Sequence, residues 1–122
     1  MTSRKTMAGL TNHLAGETAE SAVAEAYARQ GYREVTRRWR GAGGEIDLVM
    51  ERAGETVFVE VKRARDHATA AARIGARQVA RLLAAGGEYL GQLPQGLDTT
   101  CRFDAALVDG RGEISLIENA FA

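Results

Sequence analysis

Hydrophobic and polar residues in this chain switch between a helical and a strand period, and the switches divide it into elements. From about Asn12 to Gln30, Leu14, Val23, Ala26 and Tyr27 form one stripe with intervening alanines, the spacing of an amphipathic helix. Asn12 or Thr11 can cap it, and Gly31 supplies the stop. Glu20, three residues before Val23 and seven before Tyr27, falls at the border of that stripe. A strand is expected over roughly Tyr32–Arg40. The following Gly41-Ala42-Gly43-Gly44 lacks the Gly-Lys-Ser/Thr ending of a phosphate loop and reads as a flexible linker.

The period then becomes two. Glu45-Ile46-Asp47-Leu48-Val49-Met50 and Val57-Phe58-Val59-Glu60-Val61-Lys62 flank a turn at Ala53-Gly54, the pattern of a hairpin. With Arg52 facing Glu55, Ile46 meets Val61, Leu48 meets Val59 and Met50 meets Val57, which gives one apolar face. After Lys62 helical spacing returns from near Ala72 to Leu90, with Val79, Leu82, Leu83 and Leu90 inward. Gly86-Gly87 marks a place to kink or end. Arg73, Arg77 and Arg81 recur every four residues, a basic stripe or an ordinary solvated face. A loop over Gly91–Thr100 leads to strands at Arg102–Val108 and Glu113–Ile117 around Asp109-Gly110-Arg111-Gly112. The order helix, three strands, helix, two strands predicts an α/β sandwich about a mixed sheet. Residues 1–11 read as a polar tail and 12–122 as a single domain.

Composition narrows the setting. The chain has 122 residues, 45% hydrophobic and 26% charged, ordinary for a soluble domain with a real core. A single cysteine, Cys101, excludes an internal disulfide and fits a reducing compartment. No apolar run approaches the ~20 residues needed to span a bilayer, and the polar opening Met1–Thr6 precedes no signal-peptide core. The expectation is a cytoplasmic protein with no membrane partner. Net charge is zero, which argues against nucleic acid, but its distribution argues the other way. Between Arg29 and Arg81 there are twelve basic and seven acidic residues, and 14 of the 16 basic residues are arginine, the side chain suited to bidentate phosphate contacts.

The hairpin carries the candidate chemistry. Its register sets Asp47 directly across from Glu60 and Glu45 across from Lys62, and like charges so opposed destabilise a sheet. Such acids can simply face water. Val49 and Phe58 share their face, however, so that face is partly covered, and partly desolvated carboxylates call for a compensating cation.

Asp47, then Glu60-Val61-Lys62, with Glu20 upstream on a helix, resembles the PD-(D/E)xK nuclease superfamily. Gly44-Glu45-Ile46-Asp47-Leu48-Val49 and Phe58-Val59-Glu60-Val61-Lys62 are similar to the two signatures of the YraN-type family, small proteins akin to archaeal Holliday junction resolvases. Glu20 with Ala24, Tyr27 with Gly31-Tyr32, Arg38-Trp39-Arg40, Arg102-Phe103-Asp104 and Glu118-Asn119-Ala120-Phe121 extend the likeness over residues 16–121. Arg38 stands where the family usually has Asn, and Gln78 where it often has Lys.

The resemblance implies a three-layer restriction-endonuclease-like fold and a metal-dependent endonuclease acting on DNA, branched or structured DNA included. Mg²⁺, with Mn²⁺ as substitute, would be held by Asp47, Glu60, the Val61 carbonyl and Glu20. Lys62 would orient water or contact the scissile phosphate. Glu45 and Gln78 would support these groups, and Arg37, Arg40, Arg63 and Arg77 would contact phosphates. A resolvase-like activity would need a homodimer. Two rival readings stay open: a DNA-binding or repair-associated protein with little or no cleavage, and a partner-binding domain whose acids face solvent. Trp39 and Tyr32 can stack on a base or pack beneath the first helix. His13 and His67 have no partner at metal-ligand spacing.

Overall fold

The computed structural model describes residues 18–121. At its centre lies one five-stranded sheet in the order β1-β2-β3-β4-β5. Here β1 is Arg33–Arg40, β2 Glu45–Arg52, β3 Glu55–Arg63, β4 Cys101–Val108 and β5 Ile114–Ile117. Neighbours are antiparallel except β3 and β4, which run parallel. Parallel neighbours need a crossover. Helices α2 (His67–Ala72) and α3 (Ala76–Leu90) supply it. Helix α1 (residues 18–28) covers the opposite face, so the three-layer α/β arrangement with helices on both faces of a mixed sheet is present. The expected cap at Thr11 or Asn12, Leu14, His13 and the 1–11 tail lie outside the described residues.

Alternation along the strands sorts the core. Leu48, Met50, Val57 and Val59 pack with Ala19, Val23 and Tyr27 of α1, whereas Val49 and Phe58 pack with Leu82, Ala85 and Tyr89 of α3. The turn is a tight two-residue one: Ala53 and Gly54 both have positive φ, 50° and 83°. Arg52 pairs with Glu55, as the sequence implies. Ile46 departs from the expected set, since it joins Val49 and Phe58 on the α3 side rather than Val61 on the α1 side. The cause is local. The β2–β3 pairing ends at Leu48–Val59, and Arg38, in the neighbouring β1, has a positive φ of 53°. Strict alternation therefore fails at the start of β2.

The helical segment after Lys62 also differs from the single helix expected from Ala72. Asp66 caps α2, its Oδ1 accepting from the Thr69 N–H at 2.7 Å, and Arg73-Ile74-Gly75 separates α2 from α3. No kink follows at Gly86-Gly87. A Cβ at Gly86 would lie 2.6 Å from the Phe103 ring, so this glycine is a contact with the sheet, and packing overrides its poor helix propensity.

Trp39 packs edge-on against Tyr89 at 5.5 Å, beneath α3 rather than α1, while Tyr32 packs edge-on against Tyr27 of α1 at 5.4 Å. Nor is the glycine run a flexible linker. The Glu88 carboxylate accepts from the Ala42 and Gly43 N–H groups at 2.9 and 2.6 Å, and a Cβ at Gly44 would meet the Arg81 carbonyl at 2.8 Å. Docking on α3 is what requires small residues there.

A buried ionic network ties α1 to β4. Asp104 is fully buried and accepts from Tyr27 Oη (2.7 Å), Arg102 Nε (2.8 Å) and the Asn119 N–H (3.0 Å). Burial, followed by the bond to Asp104, pushes the Tyr27 hydroxyl well above its ordinary range. The bond to Asp104 holds Arg102 above its own.

Candidate functional site

Beyond Leu48–Val59 no further β2–β3 pairs form, although β3 stays paired with β4 through Arg63. In place of a ladder bond, the Val61 N–H donates to Asp47 Oδ2 at 2.8 Å. The strand ends thus open on the α3 side into a hollow of about 570 Å³ lined by Glu45, Asp47, Glu60, Val61 and Lys62, with Arg73, Gly75, Arg77, Gln78 and Arg81 opposite. The expected meeting of Asp47 and Glu60 occurs in this hollow, without a ladder pair between them.

The Glu60 side chain is only 7% exposed. Gln78 Nε2 donates to its Oε1 at 2.5 Å, and Lys62 Nζ lies 3.5 Å from the same oxygen. Burial first and the Asp47 charge second push Glu60 up to about 7, against the pull of Lys62. Asp47 is also raised, chiefly by burial, with the charges of Glu20 and Glu45 adding to it while the Val61 N–H and Lys62 oppose. Two neighbouring carboxylates that both resist ionisation are short of positive charge. Hard oxygen donors in that condition suit a hard divalent cation.

Other expected residues are placed differently. Glu20 is near enough for its charge to reach Asp47, but Arg38 Nε holds its carboxylate at 3.1 Å. Among the described residues, no three His, Cys, Asp or Glu side chains are grouped as a metal cluster. Glu45 lines the hollow but pairs with Arg40 at 2.9 Å, not with Lys62. The reason is the same divergence: pairing ends before Glu45 reaches Lys62, whereas Arg40 faces Glu45 in the β1–β2 ladder. Val61 enters the site through its N–H.

Of the four arginines expected at phosphates, Arg77 lines the hollow, and Arg40 and Arg63 line hollows beside it. Arg37 does not join them. It binds Glu34 at 2.7 Å and the Ser21 hydroxyl of α1 at 3.0 Å. His67 Nε2 lies 2.9 Å from the Glu113 carbonyl oxygen. Sequence reasoning passed over Arg73 and Arg81 as site residues, although their four-residue spacing around Arg77 was the available signal. Glu88 gave no comparable sign.

Fold and site together define an α/β protein whose sheet parts at a buried acid, Glu60, and a part-buried one, Asp47. The chain belongs to the Uncharacterised protein family UPF0102, whose sequence pattern matches residues 19–108. A UPF0102 protein of Ruegeria pomeroyi is 56% identical over 113 residues, covering 93% of this chain and 92% of that one. Another from Cereibacter sphaeroides is 51% identical over 116 residues, covering 95% and 99%. A third, from Roseobacter denitrificans, is 45% identical over 121 residues, covering 99% and 94%. No helix among the described residues is long and apolar enough to cross a membrane.

Proposed function

We propose that this protein is a metal-dependent nuclease that hydrolyses phosphodiester bonds in DNA, branched or structured DNA included. The observation that carries the reading is the convergence of Asp47 and Glu60 in one partly closed hollow, with Lys62 and Gln78 on Glu60. Asp47 and Glu60 would hold a Mg²⁺ or Mn²⁺ ion, with the Val61 carbonyl and Glu20 as further candidates. The ion would neutralise phosphate charge and lower the pKa of a bound water.

The protein's own groups complete the chemistry. The Val61 N–H and Gln78 amide fix the orientation of the two acids. Lys62 brings a cation next to Glu60, from which it can orient water or meet the negative charge that grows on the phosphate. Arg73, Arg77 and Arg81 face these groups across the hollow and supply the positive field a phosphodiester needs to approach.

The test is cleavage of linear, single-stranded, flap and four-way DNA with Mg²⁺ or Mn²⁺. Asp47→Ala and Glu60→Ala are expected to abolish product, and Lys62→Ala to cost about 10²–10³-fold. Cleavage that persists through all three substitutions would refute the assignment.

One observation favours a second reading, a DNA-binding or repair-associated protein with little cleavage. Glu20, the third acid, is engaged by Arg38, which leaves two carboxylates to hold an ion. Salt-sensitive binding without product would select it.

A further inference from the structure

Three hollows adjoin on the α2–α3 side of the sheet. The middle one holds Asp47, Glu60 and Lys62. It shares Glu45 and Arg81 with a second, of about 390 Å³, formed by Arg40 and residues 41–44. It shares Arg73 with a third, of about 360 Å³, formed by Arg63, Arg65, Asp109 and Gly110. Sheet order fixes their succession: the β1–β2 connection, the gap between β2 and β3, then the ends of β3 and β4. A trough therefore crosses four strands with the acid pair at its middle.

Its cations are short of counter-charges. Among the described residues no carboxylate pairs with Arg63, Arg73, Arg77 or Arg81, and Arg73 Nη1 donates only to the Arg63 carbonyl, at 3.3 Å. Some arginines elsewhere are paired, Arg33 with Glu51 and Arg102 with Asp104, while Arg52 donates to the Gln30 carbonyl and lies over the Tyr32 ring. The acids nearby are engaged as well. Glu45 holds Arg40, Asp109 accepts from the Arg111 and Glu113 N–H groups, and Glu88 is held by the 41–44 loop. Uncompensated positive charge along a concave surface attracts a polyanion.

We propose that this trough carries a nucleic-acid strand through the site. Arg81 holds its phosphates on one side of the acid pair, and Arg63 with Arg73 holds them on the other. The inference rests on the nuclease reading of the acids. It adds that the strand is gripped on both flanks, so the bond presented to Asp47 and Glu60 is internal to the chain.

The test measures binding of a labelled DNA strand and its duplex by fluorescence anisotropy across a salt series. The full chain is compared with Arg81→Gln, Arg63→Gln, their combination, and Arg29→Gln as a control at an exposed position beyond the end of α1. Each lost phosphate contact reduces the slope of log K against log salt by about 0.7–0.9. Each flank variant is expected to lose one such step and the double variant two, with the control unchanged. If either flank variant matches the control, the strand lies on one side only and the proposal is overturned, although cleavage stands. If the unsubstituted protein shows no salt-dependent binding, the trough and the nuclease reading both fall. Binding with the expected slopes but without cleavage removes the hydrolytic reading alone and leaves the trough supported.

Discussion

The Val61 N–H donates to the Asp47 carboxylate at 2.8 Å, so the residue between the acid and the lysine of β3 clamps the acid of β2. That bond replaces a rung of the ladder and turns the end of a hairpin into a site. A buried acid and a part-buried one are thereby held together, with Lys62 beside Glu60, a condition with measurable consequences.

A divalent ion should stabilise the fold. An ion that binds only the native chain adds RT ln(1 + [L]/Kd), about 2.7 kcal/mol at one hundred times Kd. Thermal unfolding with rising Mg²⁺, Mn²⁺ or Ca²⁺ should show an increase in Tm that Asp47→Asn removes. An equal increase in the variant would locate the ion elsewhere.

Removing the ion should give an unusual pH dependence. Glu60 titrates at about 7 when folded against an ordinary 4.5. Between these values the folded chain therefore binds more protons than the unfolded one, and stability falls as pH rises through the window. Asp47 acts in the same direction. Asp66, Asp109 and Glu34 are lowered, so the stability they contribute is lost only as pH falls below their ordinary values of 3.8, 3.8 and 4.5. Metal-free protein should consequently melt several degrees higher at pH 5.5 than at pH 8, a difference on the order of 2 kcal/mol. Glu60→Gln should flatten the difference, and a flat profile in the unsubstituted chain would contradict the burial argument.

Ala53 occupies a left-handed conformation, φ 50°, that an L-residue with a Cβ adopts at a cost of about 1–2 kcal/mol. Ala53→Gly or Ala53→Asn should stabilise the protein by about 0.5–1 kcal/mol in chemical denaturation, less than the full strain because glycine's greater freedom in the unfolded chain offsets part of the gain. Loss of stability would mean that the turn is not of this type.

Asp104→Ala should leave the Tyr27 hydroxyl without its carboxylate and remove the shortest contact of Arg102, which keeps Glu55 and the Tyr32 hydroxyl. Breaking one side of a buried pair costs about 3–5 kcal/mol. Denaturant midpoints measure it, and a change below 1 kcal/mol would show that water replaces the carboxylate.

The hairpin was legible because its period of two leaves few registers that keep the apolar faces together, and Arg52–Glu55 through Leu48–Val59 follow it. Gln78 was pointed to by the family resemblance alone, and it does meet Glu60. What escaped depended on contacts distant in sequence. Glu88 docks the 41–44 loop from 45 residues away, Phe103 lets α3 run through Gly86-Gly87, and Glu34 and Ser21 draw Arg37 off the site. Asp104 was visible as an acid inside an apolar strand, but its partners come from α1 and the chain's end. Asp66, three residues before Thr69, is a local capping signal for α2.

Gly86 has a bearing on the acids that its position hides. By lying bare against Phe103 it lets α3 settle low over the sheet, and Gln78, eight residues earlier on the same rod, reaches Glu60 from that height. A methyl group at position 86 would prop the helix up and lengthen the reach at its other end. The spacing of one amide from one carboxylate is thus governed by an absent side chain two turns away.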